Sequence, residues 1–408
     1  MSVIQNKKFH LVAISLISAL MGIGQNGLLV SLPFLVEHSA FSLPTWSILI
    51  AIGSLLFLPS APFWGRYSDK HGPKKVVLQA LSGMAVSFAL LTLFAMNSGY
   101  FQSDSHSDRV YIVCFIGLVI ARILYGCTVA GLVPASQHWA ILLCGEKNRL
   151  QAITSVSIGL SAGRLIGPLI SIVALKFSYF APLMLMILLP CVALVFAIFL
   201  PEPAMLSTKQ AQRESASWLP QKGLWVFLSS GLLLCATVAL TQYSFSPLIY
   251  AVTSWSTEQV SDSIGVLLTI SAACTFAIQV LVVKKSKLTP TTMYRFGALC
   301  LVLGFIVLLI PNIWVFGGAM MLTAVGAALL VPAYTVFATE KQNEAPGAAA
   351  GFISMSHTLG YGVASLLAFT TTLHPLYPIY LCLAFAILIL VTSFSVFNKN
   401  SSLGIERG

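Results

Sequence analysis

Twelve runs of about 20 largely apolar residues, separated by short polar connectors, leave this chain few ways to fold. A helix needs about 20 such residues to cross the hydrocarbon core of a bilayer. In that medium every backbone polar group has to be satisfied within the segment itself. The runs lie near 9–36, 43–64, 76–97, 111–139, 150–175 and 178–200, then near 223–252, 262–283, 294–311, 313–338, 348–371 and 376–396. The longest polar stretch, 201–222, falls between the sixth and the seventh. The 408 residues are 57% hydrophobic and only 8% charged, against about 25% charged in a soluble domain. No water-facing surface can be built from so few charges. The expected fold is an all-α membrane protein with twelve transmembrane helices in two six-helix bundles. Residues 1–200 form the N-terminal bundle, 201–222 a central cytoplasmic linker, 223–397 the C-terminal bundle and 398–408 a cytoplasmic tail.

The net charge of +10 does not point to nucleic acid, because the basic residues fall in connectors and not on one soluble face. With the N-terminus inside, eighteen of the 22 Lys and Arg lie on the cytoplasmic side, Lys74, Lys209 and Arg213 among them. Arg109 and Lys176 lie outside, and Arg122 and Arg164 lie within runs. This asymmetry predicts an inner-membrane protein with both termini cytoplasmic. Lys7 and Lys8 precede a run too long for the core of a signal peptide, so it reads as a retained first helix. The eight cysteines have neither metal-ligand spacing nor a pairing pattern. No nucleophile–base pair or phosphate loop is visible. Neither an enzyme activity nor a cofactor nor a metal is expected.

After the second run comes Gly65-Arg66-Tyr67-Ser68-Asp69-Lys70-His71-Gly72-Pro73-Lys74-Lys75. Gly65 permits close helix approach. Asp69 is a short carboxylate at a helix end, suited to capping backbone donors or pairing with a cation. Lys70, Lys74 and Lys75 are placed to hold the loop on an anionic leaflet. The spacing of Gly65, Asp69, Lys70 and Gly72 ahead of basic residues resembles the signature loop of the major facilitator superfamily, with Pro73 where a basic residue is usual. In the fourth run, Arg122 followed by Gly126 resembles the arginine motif of the family's proton-driven exporters. In the fifth, Gly159, Gly163, Gly167 and Pro168 resemble its antiporter motif, with Ser171 and Ile172 in place of the trailing glycines. Leu132-Val133-Pro134-Ala135 recurs as Leu330-Val331-Pro332-Ala333 in the tenth run, a faint sign of two parallel halves. The chain is thus similar to the twelve-helix drug and siderophore:proton antiporters. That resemblance implies the major facilitator fold and alternating access. It assigns a gating role to Gly65, Asp69, Lys70, Gly72, Lys74, Gly159, Gly163, Gly167 and Pro168.

An ionisable residue inside a span costs roughly 2.5–3.5 kcal/mol on insertion scales and so marks function by default. Arg122 and Arg164 lie far from the ends of their runs and read as buried cations. Ser157, Ser161, Arg164, Pro168 and Ser171 share one helical face, beside the glycine face. Ser354, His357, Tyr361 and Ser365 share a face of the eleventh helix. Gln25 and Asn26 interrupt the first helix, and Gln242 and Tyr243 the seventh. The candidate cargo contacts are therefore Arg122, Arg164, Gln25, Asn26, Gln242, Tyr243, His357 and Tyr361, the alternative being interhelical glue. No carboxylate falls in the middle of a run, so the midplane field is positive and suits an anion held by a guanidinium fork. The expected function is secondary active export of a small anionic or polycarboxylate compound, such as a siderophore, in exchange for protons. His357, His138 and Asp69 are the candidate proton carriers. The alternatives are a multidrug exporter of neutral or lipophilic compounds and, against the fifth-helix motif, an importer of a nutrient anion. The expected partners are the cargo, protons and membrane lipids, without nucleic acid, and the expected state is a monomer.

Overall fold

The computed structural model describes residues 2–41, 43–100, 107–202, 220–285, 287–343 and 345–403, and every regular element among them is helical. In chain order these are α1 (Ser2–His38), α2 (Leu43–Leu55), α3 (Phe57–His71), α4 (Pro73–Tyr100), α5 (Ser107–Val129), α6 (Leu132–Cys144), α7 (Arg149–Leu175) and α8 (Ala181–Phe199). Then follow α9 (Trp225–Val252), α10 (Thr257–Ile278), α11 (Pro290–Leu308), α12 (Ile313–Lys341), α13 (Pro346–Leu367), the short α14 (Thr370–Leu373) and α15 (Tyr377–Leu403). Each apolar run corresponds to one helix or, for the second and fourth, to a broken pair, and the eighth passes from α10 into a π-helical stretch at Gln279–Val283. Among the described residues eleven helical stretches are long and apolar enough to cross a membrane. The eleventh run, α13, is 22 residues long but is not one of them, because its glycines, serines, His357 and Tyr361 dilute its hydropathy. Residues 203–219 of the expected linker, with Lys209 and Arg213, lie outside the described residues, as do 404–408 of the expected tail.

Proline accounts for the breaks. It has no N–H, so it leaves the carbonyl four residues earlier without its helical donor. Pro59 does this to Leu55, where α2 ends, and Pro134 does it to Ala130, where α5 gives way to α6. By contrast α7 runs through Pro168 and α12 through Pro332 without interruption.

The chain forms two compact units, residues 1–218 with 344–355 and residues 219–343 with 356–408. In the first unit α1 packs along α7, α4 lies between α5 and α8, and α2 lies against α5. The α1–α7 crossing is lined with glycine. A Cβ on Gly159 would stand 1.9 Å from the Ser15 carbonyl oxygen, and one on Gly163 2.0 Å from that of Ala19. From the other side, a Cβ on Gly22 would stand 2.6 Å from the Leu160 carbonyl oxygen. Without a hydrophobic driving force inside lipid, such backbone-to-backbone approach is what lets helices gain from packing. In the second unit α12 lies against α11 and α10, and α15 against α9 and α11. Gly297 and Gly326 make the close crossing of α11 and α12. Large apolar side chains such as Leu16, Leu169, Phe196 and Leu366 are exposed, as a surface solvated by lipid requires.

Candidate functional site

The loop between α3 and α4 holds the ends of two other helices. Gly72 terminates α3 at φ +92°, a conformation open to glycine, and its N–H bonds the Ser68 carbonyl at 3.0 Å. This leaves Asp69 in the last turn of α3, where it is buried. One of its oxygens accepts from the Gly347 N–H and the other from the Ala348 N–H, each at 2.8 Å. These donors belong to the first turn of α13, which begins at Pro346. They are orphans of the helix start, and Ala345 just before it has no side chain to cap them. Asp69 therefore acts as an N-cap from another helix, its negative charge at the positive end of the α13 dipole. Residues 344–355 belong to the first unit, so this grip is internal to it.

Small residues bring the two backbones together there. A Cβ on Gly65 would stand 2.2 Å from the Gly347 carbonyl oxygen, and one on Gly351 2.5 Å from that of Ala61. The sequence reading missed Gly347 and Gly351, although Gly-x-x-x-Gly directly after Pro346 was the available signal. It also missed the surroundings of Asp69. His138 Nδ1 lies 3.6 Å from Asp69 Oδ1 and 2.8 Å from Ser68 Oγ, and the Arg66 guanidinium stands over the Phe352 ring at 5.1 Å. Lys74 departs from expectation. Its Nζ donates to the carbonyls of Ile198 at 2.8 Å and Leu200 at 2.6 Å, so it caps the negative end of α8 and does not reach for a lipid surface. Lys70 is exposed.

Arg122 lies at the α2–α5 seam. Its Nε donates to the Leu49 carbonyl at 3.1 Å and its guanidinium covers the Tyr125 ring at 4.7 Å. A Cβ on Gly53 would meet its Nη2 at 2.6 Å. With 4% of its surface exposed, this arginine presents no open face in the first unit.

Arg164 is the reverse case, and the expectation of a buried cation is corrected here. Its side chain is exposed. The apolar face of α7 is elsewhere, since exposed Leu169, five residues on, lies about 140° round the helix. The packed face carries Gly159, Gly163 and Gly167 against α1. Arg164 thus belongs to a third face, with half-buried Ser161 and Pro168. Of the other serines on the stripe, Ser157 donates to the Ile153 carbonyl at 3.1 Å, and Ser171 is buried near Gly27. Asn26, on α1, donates from Nδ2 to the Arg164 carbonyl at 2.9 Å, and Gln25 beside it is half-buried. The guanidinium itself makes no hydrogen bond or ion pair among the described residues.

In the second unit Gln242 and Tyr243 are both exposed on α9. On α13, His357 is half-buried and Tyr361 exposed. The His357 Nε2 meets the Tyr334 hydroxyl of α12 at 2.7 Å, a partner that sequence spacing did not reveal.

A family model described as Major Facilitator Superfamily matches residues 14–365. The Staphyloferrin B transporter of Staphylococcus aureus (strain NCTC 8325 / PS 47) is 29% identical over 150 residues, 36% of this chain and 31% of that protein. Multidrug resistance protein MdtG of Proteus mirabilis (strain HI4320) is 31% identical over 156 residues, 37% of this chain and 34% of that protein. The chain thus matches about a third of the length of these curated relatives. The solved structure of the proton:xylose symporter XylE bound to 6-bromo-6-deoxy-D-glucose aligns over 96% of this chain and 95% of that one, with TM-score 0.76 at 12% identity. At that identity the likeness is one of fold. The family match runs from within α1 into α13 and takes in helices of both units, and on that ground the chain belongs to the Major Facilitator Superfamily, as a multi-pass membrane transporter.

Proposed function

We propose that the protein exports a small polycarboxylate anion through the inner membrane, by alternating access and in exchange for protons. The observation that carries this reading is Arg164. Its guanidinium is exposed on a polar helix face, held in place by a backbone tied to Asn26 and, among the described residues, without an ion pair to a carboxylate. The acids of the first unit that fall among the described residues, Glu37, Asp69, Asp108, Glu146 and Glu202, belong to helix ends or connectors. A site for a cationic drug calls for an acid within the span. A planar fork with open donors suits a carboxylate and can hold it in two parallel hydrogen bonds. The similarity to a protein named as a staphyloferrin B transporter favours a siderophore as cargo. The similarity to MdtG supports the second reading, export of neutral or lipophilic drugs. In either case Asp69 acts as a gate. While it grips the start of α13 that helix end is fixed, and letting go is the conformational step. Both termini are cytoplasmic, as the Lys and Arg distribution implies, and the working unit is the monomer.

Two measurements test the cargo. Untargeted profiling of the medium from cells with and without the gene reads its class, and a lipophilic neutral compound there establishes the second reading. Calorimetry of the purified protein with citrate, the simplest probe of the class, reads the site. Arg164→Lys keeps the charge but loses the fork, and a charge-assisted hydrogen bond contributes about 1.5–3 kcal/mol, so affinity falls at least about tenfold. Arg164→Ala abolishes binding. Unchanged citrate affinity in Arg164→Ala sinks the anion reading.

A further inference from the structure

The second unit contains one histidine within its spans, and its surroundings fit a particular task. The other histidine of the unit, His374, follows α14. Glu258 and Asp262 belong to the first turns of α10, and Glu340 to the last turn of α12. His357 is therefore the group away from the span ends whose ordinary titration falls between about pH 5 and 8.

We propose that His357 is the proton-binding site of the second unit, and that Tyr334 is the positioning residue that holds its ring in both protonation states. The proposal rests on the proton-exchange part of the reading above and names the residue that serves it. The Tyr334 hydroxyl lies 2.7 Å from His357 Nε2, with the two rings edge to face at 77°. Tyr334 is fully buried and so cannot move with the load. A hydroxyl is both donor and acceptor. With neutral imidazole it donates to the Nε2 lone pair; with imidazolium, Nε2–H donates to the hydroxyl oxygen, whose own hydrogen turns away. One proton is added to the ring, none is lost elsewhere, and the contact survives. An amide partner would have to flip to serve both states, and a carboxylate would hold the ring charged.

Space and access agree. Gly231 of α9 leaves room for the ring, since a Cβ there would stand 3.1 Å from His357 Cδ2 and 3.3 Å from Nε2. One turn further along α13, Tyr361 is exposed, so His357 lies between a buried hydroxyl and an open stretch of its own helix. The titratable groups facing Tyr334 are Cys235 of α9, Tyr294 of α11 and Tyr361 of α13. None of the three carries a charge at neutral pH, so none of them drives the ring to one state.

The test is nitrogen-15 histidine NMR of the full chain in lipid nanodiscs, with His357→Gln identifying the His357 signals. The expected midpoint lies between about pH 5 and 8. The bond donated by the charged Nε2–H is the stronger of the two, so in Tyr334→Phe the midpoint falls by at least about half a pH unit, roughly a threefold change in proton affinity, while the other histidines keep theirs. Should Tyr334→Phe fail to fold, Gly231→Ala, whose methyl would stand 2.8 Å from Ser356 Oγ and 3.1 Å and 3.3 Å from Cδ2 and Nε2 of the ring, is expected to move the same midpoint. A ring that keeps one state from pH 5 to 8, or a midpoint indifferent to these variants, overturns the proposal. Citrate calorimetry on the same samples separates the two readings. A titrating ring without citrate binding supports the site and counts against the cargo, and a silent ring with citrate binding does the reverse.

Discussion

The side-chain amide of Asn26 donates to the main-chain carbonyl of Arg164 at 2.9 Å, and Pro168 explains why that carbonyl is available. In an unbroken helix the N–H of residue 168 would bond it, but proline has none. Asn26 supplies the donor from α1, and α7 stays helical through the proline. Arg164 is thereby divided in its duties, with its backbone secured and its guanidinium open.

Asn26→Leu should then cost about 0.5–1.5 kcal/mol, the net contribution of a typical hydrogen bond. Pro168→Ala restores the missing N–H, so in that background Asn26→Leu should cost little. A double-mutant cycle on thermal unfolding of the purified protein reads the difference. Equal cost in both backgrounds would show that the hydrogen bond does not answer to the proline.

Glycine substitutions should divide sharply by position. Gly163→Ala puts a methyl 2.0 Å from the Ala19 carbonyl oxygen, and since both partners are backbone, α1 and α7 must separate. A loss of roughly 1–3 kcal/mol or more is expected. Gly318→Ala, on α12, meets nothing within 4 Å and should be neutral or gain up to about 1 kcal/mol from helix propensity. Melting temperatures of the two variants, side by side, check this.

Asp69→Asn leaves one acceptor oxygen where two now bond Gly347 and Ala348. The lost charge-assisted bond corresponds to about 1.5–3 kcal/mol, or roughly 10–100-fold in the equilibrium that fixes the start of α13. Transport in vesicles should fall while equilibrium cargo affinity stays within about twofold. Lost affinity with normal cycling would contradict a gating role.

Lys74→Met and Lys70→Met remove the same charge from the same loop, yet only Lys74 caps α8. Hydrogen exchange in the last turn of α8 should quicken for Lys74→Met, by an amount matching about 0.3–1 kcal/mol of end stabilisation. Lys70→Met should leave it unchanged. Identical behaviour of the two would mean the loop acts by bulk charge alone.

The helices were legible because run length and hydropathy depend on local composition, and a span must be apolar over its whole length. The breaks were less so. Pro59 and Pro134 end helices while Pro168 and Pro332 do not, and the difference for Pro168 lies on another helix, in Asn26. The stripe through Arg164 was readable from periodicity, but a run-averaged hydropathy hid that the face is open. For Arg122 the deciding contacts, the Leu49 carbonyl and Gly53, are long-range. Asp69 could be read as a capping group from its place at a helix end. Its partners, 278 and 279 residues away, could not, nor could the pairing of Tyr334 with His357 across two helices.

The double hold of the α3–α4 loop has a mechanical side. Lys74 grips Leu200, the point from which the chain leaves α8 towards the second unit, and Asp69, five residues earlier, grips the start of α13. One short segment thus ties the C-terminal end of α8 to the N-terminal end of α13, two helix ends that lie far apart in the sequence.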